Sequence, residues 1–203
     1  MDFPPRDKTY EYHSPVRKII VVAALESEFF TPKGPIKKIY YTGIGKINAT
    51  RMTTELILEE KPELILNVGT AGCLQKRFLG EVFGIREVLE RDMIAEPLAP
   101  RGTVPLSDQP SIYRSLFGTS RCATGDSFVT TRDRWLTDNH VDLVDMELFA
   151  IAKVASHYGV EWKSIKFASD LADGAAHIDW YQNLKISNEK ITKMIDYAIE
   201  DIR

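Results

Sequence analysis

The chain has 203 residues, 44% hydrophobic and 27% charged, which suits one soluble domain with a substantial core. Its net charge of -3 excludes a general affinity for nucleic acid, and no apolar run approaches the roughly 20 residues that span a bilayer. Cys73 and Cys122 stand far apart in apolar contexts and no His/Cys cluster has metal-ligand spacing, so buried thiols in a reducing cytoplasm are a simpler reading than a disulfide or a metal site.

Residues 1–17 are polar and proline-bearing, without the apolar stretch of a signal peptide. They read as a poorly ordered N-terminal extension to a domain spanning 18–203. Residues 18–25 (KIIVVAAL) form a continuous apolar run rich in β-branched residues, the pattern of a strand buried on both faces. Residues 37–42 suggest a second strand, broken by Gly43-Ile44-Gly45. From 47 to 60, Ala49, Met52 and Leu56 recur at helical spacing and Pro62 closes the helix. Residues 64–68 (LILNV) read as another buried strand, followed by Gly69-Thr70-Ala71-Gly72 as a turn. A strand with a bend at Gly84 covers 80–88.

Residues 91–115 carry Pro97, Pro100, Pro105 and Pro110 and show no period, which predicts a functional or interface loop. Strands are expected over 120–124, 141–144 and 162–169. A helix over 146–158 ends at Gly159, and an amphipathic helix over 186–202 buries Ile191, Met194, Ile195, Ala198 and Ile202. Alternating strands and helices predict a single α/β domain with a central mixed β-sheet flanked by helices. In such sheets ligands bind beyond the carboxyl ends of the strands.

That rule gives weight to four polar strand ends: Ala24-Leu25-Glu26-Ser27-Glu28, Gly69-Thr70-Ala71-Gly72, Asp145-Met146-Glu147 and Ser169-Asp170. Read singly, the glycines make turns, Glu147 answers a helix dipole and Asp170 caps a helix. Phe128, Trp180 and Met146 read alone as core. Asp126 reads as a structural turn or cap, and Asp173 as a loop stabiliser. The pair Gly43 and Gly45 lacks the third glycine of a dinucleotide fingerprint, since Asn48 takes that place. The conjunction of all four strand ends is harder to dismiss.

These segments, with Thr42-Gly43-Ile44-Gly45-Lys46, Asn67-Val68, Thr124-Gly125-Asp126-Ser127-Phe128 and Ala168-Ser169-Asp170-Leu171-Ala172-Asp173, stand in an order and spacing that resembles a known family. The chain resembles the 5′-methylthioadenosine/S-adenosylhomocysteine nucleosidases of the nucleoside phosphorylase superfamily, from about Ile19 to the C-terminus. The resemblance implies a nucleoside phosphorylase-like fold and hydrolysis of a purine nucleoside's N-glycosidic bond. By residue, it implies that Asp170 protonates the purine at N7, which needs a carboxyl pKa raised by burial. It implies that Glu28 activates water and that Glu147 holds the ribose hydroxyls over a floor formed by Met146. Phe128 would stack on the purine, the Val129 backbone would meet its edge, and Trp180 would cover the ribose and 5′ group. Thr70, Ala71, Gly72, Ser169 and Lys166 complete the implied substrate-binding set.

No metal or organic cofactor is implied. The implied partner is a small-molecule purine nucleoside, with no membrane or nucleic acid, and the resemblance implies a homodimer. Phosphorylase relatives place an arginine before the glycine-rich segment, where this chain has Leu66 and Asn67, and a glycine-containing phosphate loop where it has Glu26 and Glu28. Water is therefore expected as the nucleophile. The alternatives are another nucleoside hydrolase with a futalosine-like substrate, a phosphorylase, or a non-catalytic nucleoside-binding domain. The chain departs from the family at Lys166, where an arginine is usual, in the short stretch between Glu28 and Gly43, and in residues 91–115. That last departure leaves the 5′ substituent open.

Overall fold

The apolar run at the start of the domain forms β1 (Ile19–Ala23), with four of its five residues buried. The computed structural model describes residues 17–30, 36, 38–131, 133–173 and 176–200. The expected extension lies outside the described residues except for Arg17, whose guanidinium donates to Glu161 at 2.5 Å.

Strand β2 (Ile39–Tyr41) pairs parallel to β1. The break after it leads into α1 (Lys46–Glu60), which starts at Gly45 with φ 93, a left-handed backbone that glycine adopts without strain. Asp126 caps this helix from another part of the chain: its Oδ1 accepts from the Lys46 amide at 2.7 Å. Lys61 ends it in the left-handed region, just before Pro62.

Strand β3 (Leu64–Cys73) runs five residues beyond the expected one, and all ten of its residues are buried. The Gly69-Thr70-Ala71-Gly72 segment is thus strand and not turn. It pairs with β8 (Glu161–Asp170) over almost its whole length, with an irregularity between Ala71 and Gly72 that sets Gly72 opposite Asp170. A single 3₁₀ turn, Lys76–Phe78, leads to β4 (Val82–Glu90).

The loop expected over 91–115 contains a short strand, β5 (Ile112–Arg114), antiparallel to β4. Three residues are too few to reveal an alternation. Strand β6 (Ser120–Thr124) matches its expectation, and α2 (Arg134–Asp138) was not foreseen. Its signal is the Asp133 side chain, which accepts from the Trp135 amide at 2.9 Å as a helix cap. Strand β7 (Leu143–Asp145) precedes α3 (Leu148–His157), and Gly159, with φ 69, lies just past its end. Helix α4 (Ala176–Glu200) begins ten residues earlier than the periodicity indicated; Ile202 lies outside the described residues.

The strands form one mixed sheet in the order β2-β1-β3-β7-β6-β4-β5, while β8 pairs with both β3 and β4. The path β3-β7-β6-β4-β8 therefore returns to β3 and closes a ring. Helices α1 and α3 pack on one side, contributing Ala49, Leu56, Leu148 and Ile151 to the larger core. Helix α4 covers the other side through Ile191, Ile195 and Ala198, packed against Val21, Leu66 and Ile165. The expected α/β class and mixed sheet are what the structure has. Cys73 and Cys122 are buried free thiols.

Candidate active site

The ring brings the ends of β3, β7 and β8 together with the exit of β1. Between them lies a cavity of about 330 Å³. Its wall includes Glu28, Thr70, Ala71, Gly72, Phe128, Val129, Met146, Glu147, Ser169, Asp170 and Trp180. Every site residue expected from the sequence is there except Lys166. Phe128 is a large aromatic left 49% exposed, so it serves the cavity surface and not the core.

Asp170 ends β8 across from Gly72. A Cβ at position 72 would stand 2.7 Å from Asp170 Oδ1, so glycine is what lets the carboxyl lie across the neighbouring strand. Ala172 N donates to Asp170 Oδ1 at 2.9 Å, and Ser169 Oγ lies 2.8 Å from Oδ2. Glu28 is buried and accepts from Leu25 N at 3.2 Å, Thr70 N at 3.2 Å and the Thr70 hydroxyl at 2.5 Å.

Glu147 stands at the head of α3 and accepts from Gly45 N at 2.8 Å. Burial, then the charge of Asp145, pushes its carboxyl pKa up to about 8. Asp145 behaves oppositely. Burial alone would raise it, but the Lys166 ammonium at 2.8 Å, the Thr124 hydroxyl and the Leu148 amide together hold it below its ordinary value. Two acids two residues apart are therefore shifted in opposite directions. Lys166 is buried too; burial opposes its charge, but Asp145 and Glu147 outweigh that and raise its pKa. The expectation of substrate contact by Lys166 is corrected accordingly. Its ammonium lies off the cavity wall, paired to Asp145, because a buried cation must meet its counter-charge.

The raised acid has a consequence for stability. Between its ordinary 4.5 and about 8, the folded chain keeps the Glu147 proton that the unfolded chain has released. Rising pH in that window therefore favours unfolding. Glu147→Gln is expected to remove this loss, on the order of a few kcal/mol. Melting temperatures measured from pH 5 to 8 should converge toward acid and separate toward base; parallel curves would contradict it.

Arg91 was missed by sequence reasoning. It follows β4 directly and lines the cavity. Its guanidinium donates to Gly125 O at 2.9 Å, to Ser127 Oγ at 3.2 Å and to Ser127 O, and so holds the segment that carries Phe128. The only hint was an arginine set between Glu90 and Asp92 at a strand end.

A family model described as the phosphorylase superfamily matches residues 29–200. The chain belongs to that superfamily. The 5′-methylthioadenosine/S-adenosylhomocysteine nucleosidase of Listeria monocytogenes is 31% identical over 186 residues, covering 79% of this chain and 80% of that one. This places the chain in the nucleosidase family within the superfamily. The crystal structure of the Helicobacter pylori 5′-methylthioadenosine/S-adenosylhomocysteine nucleosidase with butyl-thio-DADMe-Immucillin-A superposes with a TM-score of 0.79 at 21% identity, covering 93% of this chain and 99% of that one. A futalosine hydrolase mutant from the same organism gives 0.79 at 21%, covering 93% and 100%. At that identity these two share the fold. For this nucleosidase-family chain, the fold implied by the sequence resemblance is the fold found.

Proposed function

We propose that the chain hydrolyses the N-glycosidic bond of a purine nucleoside, 5′-methylthioadenosine or S-adenosylhomocysteine, and releases adenine. The observation that carries this reading is that Glu28, Glu147 and Asp170, from three separate chain segments, line one cavity beside the exposed ring of Phe128. Its family membership supports the same reaction.

The roles assigned are those the family resemblance implies, and their support is that the residues line one cavity. Phe128 stacks on the purine and the Val129 backbone faces its edge. Asp170 donates a proton to N7, so the base leaves neutral with the electron pair of the C1′–N9 bond. Glu147 and Met146 hold the ribose, and the carboxyl oxygens offset the positive charge that develops at C1′. Water attacks C1′ and gives its proton to Glu28. Both Glu28 oxygens accept from fixed donors, as suits a base.

Water is favoured over phosphate because Glu28, the assigned base, stands on the cavity wall, and the cation there, Arg91, is engaged with Gly125 and Ser127. Adenine release from methylthioadenosine in phosphate-free buffer is the test, run beside S-adenosylhomocysteine and a futalosine-like nucleoside. Release only on adding phosphate would overturn hydrolysis, and turnover of the futalosine-like compound alone would move the substrate.

We assign the activity to methionine salvage in the cytoplasm, a setting that suits the two buried free thiols. We assign a homodimer as well. Ile47, 83% exposed, shares a groove with Met93 and Val104, and Leu98 and Leu106 are exposed on the same proline-rich loop. Sedimentation at twice the monomer mass would support it, and at the monomer mass would remove it. Neither nucleic acid nor membrane is a proposed partner; no described helix is long and apolar enough to cross a membrane.

A further inference from the structure

Three elements meet at one hydroxyl. The indole Nε1 of Trp180, on α4, lies 2.8 Å from Thr70 Oγ1 on β3. Thr70 Oγ1 in turn lies 2.5 Å from Glu28 Oε1, beyond the end of β1. An indole N–H can only donate, and a threonine hydroxyl has one proton. The indole therefore occupies Thr70 as an acceptor, and the single hydroxyl proton points to Glu28.

The consequence falls on the two oxygens of Glu28. Oε1 accepts from the Thr70 hydroxyl and from the Thr70 amide at 3.2 Å, which engages both of its lone pairs. Oε2 accepts from Leu25 N alone, at 3.2 Å. One lone pair remains for a proton, and it is on Oε2.

We propose that Trp180 is a positioning residue for water activation: by fixing the Thr70 hydroxyl as a donor to Glu28 Oε1, it directs the proton of the attacking water to Glu28 Oε2. The inference rests on the hydrolysis reading and adds a task for Trp180 beyond covering the sugar. Without the indole N–H, the Thr70 hydroxyl is free to turn and accept from other donors, and Oε1 loses one of the bonds that orient the carboxylate. The O–H bond of water breaks, its hydrogen joins Oε2 and its oxygen joins C1′, so no further reactant is needed.

Trp180→Phe keeps an aromatic ring and removes the donor. Its kcat for adenine release is expected to fall about tenfold, the scale of one hydrogen bond of about 1.4 kcal/mol, with KM held within about twofold. Thr70→Val should lower kcat at least as much, and Thr70→Ser, which keeps the hydroxyl, should restore it. In the Thr70→Val background, Trp180→Phe should cost nothing further, since the bond it would break is already gone. A rise in KM at unchanged kcat would overturn the proposal, leaving Trp180 a substrate contact. Multiplicative losses in the double variant would overturn it too. An inactive wild-type protein would instead strike the hydrolysis reading itself.

Discussion

Replacing Asp170 with asparagine is expected to lower turnover by roughly 10²–10⁴-fold, the contribution of a positioned general acid. The change is nearly isosteric, so the effect isolates the proton. The asparagine carbonyl can still accept from Ala172 N at the Oδ1 position, where the native contact is 2.9 Å. Its NH₂ group then faces Ser169 Oγ, which has lone pairs to accept it and can turn its own proton to Ala71 O, 3.4 Å away. Fold and ligand binding should therefore survive while the transferable proton is lost. Adenine release at saturating methylthioadenosine, with a thermal melt alongside, checks both halves. Equal turnover in variant and wild type would remove the acid role from Asp170. A collapsed melt would mean the loss of activity came from structure.

The largest stability effect is expected at Lys166. Lys166→Met should cost about 3–5 kcal/mol, because it leaves the Asp145 carboxylate buried without a counter-charge. Asp145 is no isolated group. Its Oδ1 accepts from Thr124 Oγ1 at 2.5 Å and its Oδ2 from Leu148 N at 3.0 Å, while Thr124 Oγ1 also accepts from Phe149 N at 2.9 Å. The pair thus ties β6, β7 and β8 to the first turn of α3, next to Glu147. Urea unfolding of the variant would measure the cost. Adding Asp145→Asn should return part of it, since a neutral amide leaves no unpaired charge; a double variant less stable than Lys166→Met would contradict the ion-pair account. A single ammonium suffices at this place because the other Asp145 oxygen is already taken by Thr124.

Much of this site was readable in the chain. Apolar runs followed by acids and small residues marked the polar strand ends, and the family resemblance joined Glu28, Gly72, Glu147 and Asp170 into one expected site. Arg91 and the Trp180–Thr70–Glu28 relay were not readable there. An arginine beside two acids looks like a solvated charge, and a hydrogen bond between residues 110 positions apart leaves no local pattern. Lys166 was misjudged for a related reason. Its motif position pointed to the ligand, but its counter-charge, Asp145, stands on β7, which does not pair with β8 and comes near only through the closed sheet.

The amino-acid sequence by itself determined the α/β class, the order of the main strands and helices, and which residue types reach the strand ends, because apolar periodicity and turn residues are local properties. The tertiary structure alone decided the closed path β3-β7-β6-β4-β8, the strand character of Gly69-Thr70-Ala71-Gly72, and the opposite pKa shifts of Asp145 and Glu147. Strand pairing and burial set these. The Asp145 carboxyl is held below its ordinary pKa by the Lys166 ammonium, 21 positions away, and the Glu147 carboxyl is raised chiefly by burial, which packing alone creates.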